Sequence, residues 1–421
     1  MKRLKGMHDI YFPECDYFNF VEQRAVKLFK NFGFTEIRTP ILEETSVFKR
    51  SVGEETDIVS KEMYHFEDRD GKHVCLRPEN TASVVRAYLE NNLSENPNLS
   101  KIFYIGPMFR RERPQKGRYR QFFQIGAEIF GSQDPSSDVE LLKYLELFFK
   151  SFGINDIYTE INSLGCPKCR PAYREKLVSF LTSLKNLCEE CNHRVKTNPI
   201  RALDCKNESC RSNFKEAPSP ISYLCEECSS HHARFINYLR LTSIPFKENK
   251  FLVRGLDYYT KTVFEIKSSS LGAQNTLCGG GRYDALFKLM GGGDTPAVGF
   301  SIGLERLVLV LTELKFFENK ELNKRDLFVA ALGAETKEKI LPYIFSLKEK
   351  GICVDYDFSK DNLKKLLKVS DKIGSKYTLL LGQEELENKK VILRNMKSKK
   401  QHELLWDELI KNIETIVKNG D

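Results

Sequence analysis

The stretch that decides the fold is FRRERPQKGRYRQFFQIGAEIFG, Phe109 to Gly131. Residues 110–120 of it carry six cations against one acid, Glu112. The residues before this run, 101–109, and those after it, 121–130, are rich in side chains that favour strands. Two such stretches around a polar run predict antiparallel strands joined by a long cationic loop.

The second strand of this hairpin has a polar face. Side chains two and four residues apart share one face of a strand, so Gln124, Gly126 and Glu128 should line the same surface as Phe122. That surface could hold a ligand; an exposed basic hairpin with a polar face is the alternative. The tyrosine and two phenylalanines that adjoin the cationic run favour contact with a nucleotide over a merely solvated surface.

Outward from the hairpin, hydrophobic periodicity and turn residues predict a mixed α and β core. The core elements expected are a helix at 20–32 ended by Gly33, an extended segment at 34–39, a helix at 138–149, strands at 157–161, 251–253 and 262–266, and a strand that enters a helix at 297–310. A turn-rich, cysteine-rich region that reaches about Leu241 interrupts this pattern and is interpreted as an insertion.

The end of the chain has a different pattern. After a charged segment at 316–325, interpreted as a linker, short strands and helices alternate. The expected order is strand 327–331, helix 336–350, strand 352–356, helix 361–373 and strand 377–381. Such β-α-β-α-β order predicts a small, largely parallel sheet with helices on its faces.

Length and composition indicate a multidomain protein. The chain has 421 residues, 41% of them apolar, which is enough for two or three hydrophobic cores. It has no run of about 18 uncharged apolar residues, and charges interrupt residues 1–9, so we expect a cytoplasmic protein with no membrane partner. The net charge of +8 suits a polyanionic partner without demonstrating one.

Cysteines are concentrated in the insertion. Eight of the 12 lie between residues 166 and 228. In a cytosolic protein such crowding favours metal ligation over disulfides. A C-x-x-C places two thiolates on one tight turn, and two such turns supply the four ligands of tetrahedral zinc. The candidate zinc ligands are Cys166, Cys169, Cys188, Cys191, Cys205, Cys210, Cys225 and Cys228.

The spacing of these cysteines leaves several arrangements open. Eight thiols suffice for one site or two, and the sequence does not decide which pairs share a metal. The residues His193, His231 and His232 are substitute ligands. A redox-active or merely residual set of cysteines is the alternative to zinc.

Four further motifs accompany the hairpin: CLRPENTASVVRA (75–87), RGLDYYTKTVFE (254–265), GGGRYD (279–284) and PAVGFSIGLERL (296–307). Together with the hairpin they resemble the histidyl-tRNA synthetases, over roughly Met1 to Val310. The hairpin is similar to the second class II signature, PAVGFSIGLERL to the third and Gly33 to Glu43 to the first. RGLDYYTKTVFE and GGGRYD resemble the two signatures peculiar to the histidine enzyme.

This resemblance implies an α+β fold: a class II synthetase antiparallel-sheet catalytic core with a cysteine-rich insertion, followed by a small α/β anticodon-binding domain. The implied domains are residues 1–320 for the core, 165–243 for the insertion within it and 325–421 for the anticodon-binding domain. A homodimer is implied by the family alone. Glycines at 279, 280, 281 and 299 are then expected where the backbone closely approaches a nucleotide.

The implied activity is that of a histidine–tRNA ligase, which activates L-histidine with ATP to histidyl-adenylate and transfers it to the 3′ end of tRNA(His). A carboxylate is already a nucleophile, so activation needs positioning and cations to neutralise charge on the phosphate, with Mg²⁺ on the outer phosphates. By resemblance, Arg110 and Arg254 are catalytic. Arg110, Phe122 and Arg306 are the implied ATP-binding residues.

Histidine selection needs an acceptor for an imidazole N–H and anions or carbonyls for the ammonium group. The implied histidine-binding residues are Glu79, Asn80, Thr81, Gln124, Glu128, Arg254, Tyr258, Tyr259 and Tyr283. At Asn80 the family more usually has glycine, which predicts a turn with a positive backbone angle that asparagine tolerates.

Contacts with tRNA are implied at both ends of the chain. Arg113 and Gln115 match positions that meet the acceptor end, and the insertion is expected to clamp the acceptor arm, with any zinc structural. The lysine-rich helix 361–373 and the cluster 394–400 are expected to meet the anticodon. Solvation is the alternative for these lysines.

Two rival functions remain. A regulatory subunit of the ATP phosphoribosyltransferase shares the core but lacks the terminal domain and the RGLDYY-type signature, both of which are present here. A zinc-dependent RNA-binding protein without enzymatic activity is the second rival. Histidine-dependent exchange of pyrophosphate into ATP separates it from an enzyme.

Overall fold

A computed structural model describes residues 1–53, 56–268, 276–318, 320, 322–323 and 325–419. The chain divides into two compact units, Met1–Glu318 and Asn319–Asp421. Among the residues described, none of the helices combines the length and the apolar character needed to cross a membrane.

The first unit is built on an eight-stranded, mostly antiparallel sheet of order β1-β5-β6-β11-β10-β9-β7-β8. The same unit contains a separate three-stranded sheet of order β2-β4-β3. The strands of this unit are β1 Thr35–Glu36, β2 Leu42–Glu44, β3 Tyr64–Glu67, β4 His73–Leu76, β5 Lys101–Phe109, β6 Gln121–Phe130, β7 Ile157–Ser163, β8 Phe246–Glu248, β9 Thr260–Ser268, β10 Thr276–Arg282 and β11 Ala297–Gly303.

The strands that flank the cationic loop form the second and third strands of this sheet. β5 and β6 pair antiparallel from Lys101↔Ile129 to Phe109↔Gln121, so the predicted pair is confirmed. β11 pairs antiparallel with the other edge of β6. Because β6 has a strand on each side, it is an interior strand of the sheet.

Ten α-helices surround the sheets in the described part of the first unit. They are α1 Glu14–Asn31, α2 Thr45–Val52, α3 Thr81–Glu90, α4 Ser136–Lys150, α5 Arg170–Ser183, α6 Glu189–Thr197, α7 Glu208–Asn213, α8 Glu226–Leu241, α9 Leu286–Leu289 and α10 Leu304–Glu313. The buried residues of α1 follow helical spacing from Phe18 to Phe29, and the Phe29 ring stacks 4.2 Å from that of Tyr144 on α4. Gly33, at φ +76°, follows the helix end as predicted.

The insertion differs from its prediction. The sequence indicated a turn-rich segment, whereas residues 165–243 contain the four helices α5 to α8. The predicted strand at 251–253 is wrong. There the Asn249 carbonyl and amide oxygens accept the N–H groups of Leu252 and Phe251, and the Leu252 carbonyl accepts from Asn162. Side chains of two asparagines thus replace a strand partner for this apolar segment.

The second unit has a five-stranded sheet of order β13-β12-β14-β15-β16. Its elements are β12 Arg325–Ala331, α11 Ala334–Glu349, β13 Val354–Tyr356, α12 Leu363–Lys372, β14 Ser375–Leu381, α13 Gln383–Glu387, β15 Lys390–Asn395, β16 Gln401–Leu405 and α14 Leu409–Asn419. The predicted β-α-β-α-β order is confirmed. The largely parallel sheet is not, because β12 pairs in parallel with β13 and β14 while β15 pairs antiparallel with β14 and β16.

Successive side chains of β12 enter two different cores. Leu327 and Val329 pack in the core that contains Ile340 of α11 and Ile413 of α14, whereas Phe328 packs with Leu366 of α12. The helices α11 and α14 therefore cover one face of this sheet and α12 covers the other. Trp406, the single tryptophan of the chain, is buried in the first of these cores, and its Nε1–H donates to the Tyr343 hydroxyl at 2.7 Å.

Candidate functional site

A buried carboxylate on β6 is the centre of the candidate site. Glu128 is 1% exposed and accepts hydrogen bonds from three hydroxyls. Thr81 and Tyr104 donate to its Oε1 at 2.8 and 3.2 Å, and Tyr283 donates to its Oε2 at 2.5 Å. Side chains from β5, from the residue that follows β10 and from the start of α3 thus converge on one carboxyl group of β6.

Glycines make room for this arrangement. A Cβ on Gly126 would lie 2.3 Å from the Tyr104 ring, and a Cβ on Gly299 would lie 1.5 Å from the Glu128 carboxylate. Gly279 makes room in the same way for the Arg254 guanidinium, 2.1 Å from where its Cβ would stand. Side chains of the chain itself therefore account for glycine at positions 126, 279 and 299. A close approach of a nucleotide to the backbone at positions 279, 280, 281 and 299 stays a prediction.

Burial shifts the acid–base behaviour of the site. Removal from water raises the pKa of Glu128 from 4.5 to about 8, although the hydroxyls of Tyr283 and Thr81 oppose this shift by hydrogen bonding. Burial also raises the pKa of the nearby Tyr259, and the positive charge of Arg254 opposes this rise. The site therefore holds a carboxyl group that binds its proton more tightly than an exposed glutamate does.

The N-terminus of α3 carries three of the predicted residues. The Glu79 carboxylate accepts the backbone N–H groups of Thr81 and Ala82 at 2.8 and 2.9 Å, so it caps the helix. Burial raises the pKa of Glu79, and these N–H donors oppose the rise. Glu79 and Thr81 therefore lie together with Glu128, in one buried polar cluster.

Asn80 does not have the positive backbone angle that the sequence predicted. Its φ is −114° and its ψ −14°, in the right-handed region. The side-chain oxygen accepts from Arg77 at 3.1 Å and from Thr39 at 2.7 Å. Asparagine thus serves here as a hydrogen-bond acceptor for a buried arginine, and the turn does not need glycine.

Gln124 lies beside this cluster with an unused acceptor. Its Nε2 donates to Ser301 at 3.4 Å, while its buried Oε1 has no hydrogen-bond partner among the described residues. A buried carbonyl oxygen without a donor is costly, so the position favours a ligand that brings an N–H.

Three tyrosines form the aromatic wall of the site. The Tyr258 ring lies 4.8 Å from that of Tyr259 and 5.4 Å from that of Tyr283. All three are buried. The structure thus brings together the three tyrosines that the sequence analysis singled out.

The predicted arginines sit in separate settings. Arg254 is ion-paired with Glu265 of β9, and its Nε has no hydrogen-bond partner among the described residues. Arg110 donates to the Pro78 carbonyl at 2.8 Å and lies 5.3 Å over the ring of Phe122. Burial, together with the nearby positive charge of Arg118, lowers the pKa of Arg306.

A further arginine of these motifs has a structural role. Arg282 of GGGRYD is fully buried and pairs with Asp138 of α4 at 2.6 Å. It also donates to the carbonyls of Ser132 and Asp134, both at 2.8 Å. GGGRYD therefore turns Tyr283 into the pocket and Arg282 into the core.

Two residues of the candidate site were missed from the sequence. Tyr104 looks like an ordinary core residue of β5, and only the register that places it opposite Gly126 reveals its role. Arg77 donates to the carbonyls of Pro107 and Thr39, both at 2.9 Å, and so fixes the turn before α3. The usable signal for Tyr104 was a glycine in the middle of a strand, which marks a close approach.

The two predicted tRNA-contacting residues lie outside this cluster. Arg113 and Gln115 are exposed on the β5–β6 loop. Gln115 and Arg118 exchange two backbone hydrogen bonds, of 3.1 and 2.9 Å, around a turn that contains Gly117 at φ +73°. The cationic loop thus contains an ordered turn that exposes Arg113 and Gln115 to solvent.

The eight insertion cysteines fall into two groups of four, in each of which the four sulfurs lie within 4.8 Å of one another. The first cysteine cluster is Cys166, Cys169, Cys225 and Cys228, and the second cysteine cluster is Cys188, Cys191, Cys205 and Cys210. Each joins a C-x-x-C turn to a second pair, which the sequence alone left open. Neither group includes a histidine: His232 lies 3.5 Å from Glu248, and burial lowers the pKa of His231 to about 3.

Comparison with known proteins adds a family. A family model described as histidyl-tRNA synthetase matches residues 6–168 and 181–307, and one described as anticodon binding domain matches residues 326–416. A protein of Desulfosudis oleivorans named histidine–tRNA ligase is 47% identical over 406 residues, which is 96% of this chain and 95% of that protein. One of Aquifex aeolicus with the same name is 45% identical, covering 97% of this chain and all of that protein.

A solved structure has the same fold along nearly the whole chain. Apo histidyl-tRNA synthetase of S. aureus superposes with a TM-score of 0.83 at 33% identity, covering 98% of this chain and 100% of that one.

Proposed function

This chain belongs to the histidyl-tRNA synthetase family, and from that premise we propose that it converts L-histidine and ATP to histidyl-adenylate and pyrophosphate, then transfers the histidyl group to tRNA(His) with release of AMP. It is a class II aminoacyl-tRNA synthetase with the activity of a histidine–tRNA ligase.

The observation that carries this proposal is the acceptor set around Glu128. The carboxylate receives the imidazole N–H of histidine, which replaces or joins the hydroxyl donors around it. Tyr259 is the partner of the second ring nitrogen. Glu79 attracts the α-ammonium group by its charge, and the Gln124 carbonyl accepts one of its N–H bonds. Thr81, Tyr258 and Tyr283 complete the pocket, and Asn80 supports it through Arg77.

The three arginines supply positive charge for the activation step. The histidine carboxylate attacks the α-phosphate, the bond to pyrophosphate breaks, and negative charge grows on the phosphate oxygens. Arg254 and Arg110 neutralise that charge, and Arg110 also bridges to the carboxylate through its planar fork. Arg306 holds the terminal phosphate, and the face of Phe122 stacks on adenine once Arg110 moves to the nucleotide.

Magnesium accompanies ATP in this proposal. Mg²⁺ binds oxygen ligands and keeps several waters, so it is held mainly through the outer phosphates. Glu265, beside Arg254, is the carboxylate that this part of the site offers to it.

Contacts with tRNA come from both units. We assign Arg113 and Gln115 of the exposed loop to the acceptor end, since arginine suits a guanine edge or a phosphate. We assign the lysines of α12 and the 394–400 hairpin to the anticodon arm, which agrees with the matched anticodon-binding family.

The proposed domain limits are 1–320 for the catalytic core, 165–243 for the insertion within it and 325–421 for the anticodon-binding domain. The proposed assembly is a homodimer in the cytoplasm, where tRNA is charged.

The test is pyrophosphate exchange into ATP with each of the twenty amino acids in turn. Histidine alone should support exchange. Arg254→Ala should reduce the exchange rate at least about tenfold, because loss of one preorganised donor from such a site lowers kcat by a factor of about 10²–10³. A regulatory or purely RNA-binding protein would give no exchange with any amino acid. A loss smaller than about tenfold in Arg254→Ala would contradict the role given to that arginine.

A further inference from the structure

The two cysteine clusters have the dimensions of zinc sites. A tetrahedron of sulfurs at the usual Zn–S bond length has edges of about 3.8 Å. Cys166 lies 3.7 Å from Cys169 and 3.9 Å from Cys225, and Cys188 lies 3.7 Å from Cys205, sulfur to sulfur. A disulfide would need a sulfur separation of about 2.05 Å. Both clusters therefore match four thiolates around one cation.

Backbone groups in both clusters are already arranged for thiolates. The N–H of Cys225 points to the sulfur of Cys169 at 3.1 Å, and that of Cys188 to the sulfur of Cys210 at 3.2 Å. The N–H of Asn207 points to the sulfur of Cys205 at 3.4 Å. Such donors stabilise negative sulfur and orient it as a ligand.

The first cysteine cluster is tied to the histidine side of the proposed active site. Gly165, just before Cys166, accepts the Lys261 N–H at 2.9 Å, and the Lys261 carbonyl accepts the Leu164 N–H at 2.8 Å. Arg170, just after Cys169, donates to the carbonyl of Tyr259. The turn that carries two of the sulfurs is thus bonded on both sides to residues 259–261.

Lys261 extends this tie to the other half of the pocket. Its side chain is 8% exposed and its φ is +46°, a strained angle for lysine. The ammonium group lies 3.0 Å from Glu227, between the other two cysteines of the cluster, and 3.4 Å from Asp284, next to Tyr283. One side chain therefore joins the cluster to the segments that hold both Tyr259 and Tyr283.

The second cysteine cluster has different neighbours. Within the segment that it closes, Arg194 lies 3.5 Å from Asp57, and Asn198 donates to Asp257 at 2.8 Å. These are side-chain contacts to partly exposed carboxylates, whereas the first cluster contacts the backbone of the pocket. The two clusters therefore differ in how directly they position the tyrosines.

We propose that each cysteine cluster binds one structural Zn²⁺, and that the ion in the first cluster positions Tyr259 and Lys261 so that the pocket binds histidine. The first part stands on the clusters alone; the second rests on the proposed function. The step is binding only. In each cluster the four thiols lose their protons to solvent and together coordinate one zinc ion.

Zinc content is measured first, by elemental analysis of the gel-filtered full-length protein. Wild type should contain two zinc ions per chain. Cys166→Ser/Cys169→Ser and Cys188→Ser/Cys191→Ser should each contain one, and the control Cys15→Ser/Cys353→Ser, which changes two exposed cysteines outside the clusters, should keep two. Less than one zinc ion in wild type overturns the proposal. This result is independent of whether the chain activates histidine.

Kinetics of histidine-dependent exchange then test the positioning role. Loss of the first cluster should raise the KM for histidine about tenfold or more, since small misplacements in a pocket have large effects, while the KM for ATP stays within about twofold. Loss of the second cluster should raise the KM for histidine less than about threefold. Equal rises in the two variants, or no rise in the first, overturn the positioning role.

Arg170→Gln keeps the test decisive if a cysteine variant fails to fold. It leaves all eight thiols in place but removes the donor to the Tyr259 carbonyl. It should keep two zinc ions and raise the KM for histidine with little change in kcat. Unchanged KM values with two zinc ions bound contradict the proposal. Absence of any exchange in wild type would instead count against the proposed function.

Discussion

Glu128 is a nearly fully buried carboxylate whose three hydroxyl donors are all neutral. Three hydroxyl donors offset part of the cost of removing it from water but supply no full positive charge. Because these donors are neutral, burial prevails and raises the pKa of Glu128 to about 8. Histidine, with its ring N–H and its ammonium group, supplies what the pocket lacks.

Glu128→Gln should therefore weaken histidine use more than ATP use. The amide keeps the size of the side chain but loses the charge, and a hydrogen bond to a charged group contributes about 1.5–3 kcal/mol. The kcat/KM for histidine should fall about 10- to 100-fold, with the KM for ATP nearly unchanged. Equal losses for both substrates would contradict the assignment of Glu128 to the amino acid.

The same variant tests the pKa. Since the pKa of Glu128 is raised from 4.5 to about 8 by folding, its contribution to stability is fully present below pH 4.5 and is lost as pH rises through 8. Between pH 4.5 and pH 8 the free energy of unfolding of wild type should therefore fall relative to that of Glu128→Gln, on the order of a few kcal/mol. Urea denaturation at pH 5 and pH 8.5 measures the difference. Parallel pH profiles for the two proteins would contradict the shift.

At the scale of elements, β10 supports the arginine that the reaction needs. Gly279→Ala would place a methyl group 2.1 Å from Arg254 Nη2 and so displace the guanidinium. Exchange should fall about tenfold or more with the fold retained, because a donor in the reaction site is lost. In Gly303→Ala the added methyl group would lie 3.9 Å from its nearest neighbour, the Cβ of Arg306, so this variant should leave the rate unchanged. Retained activity in Gly279→Ala would show that Arg254 need not lie over this glycine.

The pair between α4 and β10 supports stability instead. Asp138 and Arg282 are both 0% exposed. Asp138→Asn leaves the buried Arg282 guanidinium with only the weaker ion pair to Asp284, at 3.4 Å, and should cost up to about 3–5 kcal/mol in the free energy of unfolding. Glu36→Gln, which removes the partner of the largely exposed Arg38, should leave the free energy of unfolding nearly unchanged, because solvent screens an exposed ion pair. Urea denaturation compares the two, and similar losses would contradict the ranking.

The local sequence pattern predicted strands well where two stretches of strand-favouring residues flank a polar loop, as in β5 and β6. It failed in the insertion, because cysteines and prolines obscure the helical spacing of α5 to α8 and the clusters that organise them are long-range. It also missed Tyr104, whose role depends on the register with Gly126. The eight cysteines were found by spacing, but only the fold pairs Cys166 with Cys225 and Cys188 with Cys205.

At the scale of the whole molecule, the two units invite separate tests. A groove in the second unit is lined by Lys364, Lys368, Arg394 and Lys399. Lys364→Glu/Lys368→Glu should reduce tRNA charging about tenfold or more and lower its salt dependence, because contacts to phosphates are lost, while histidine-dependent exchange is unchanged. Aminoacylation and exchange assays separate the two effects.

The matched control reverses two lysines on the opposite face of the same sheet. Lys339→Glu/Lys411→Glu changes the same total charge on α11 and α14. It should reduce charging much less. Equal losses in both double variants would mean that net charge attracts tRNA, without a specific groove.

The single tryptophan gives the second unit an intrinsic optical label. Trp406 is buried and hydrogen-bonded to Tyr343, so its emission should shift to longer wavelength when that unit unfolds. Circular dichroism, by contrast, averages over helices of the entire chain. During a denaturant titration the two signals coincide only if both units lose structure together, so a simple fluorimeter can report whether the parts of this enzyme melt as one or in turn.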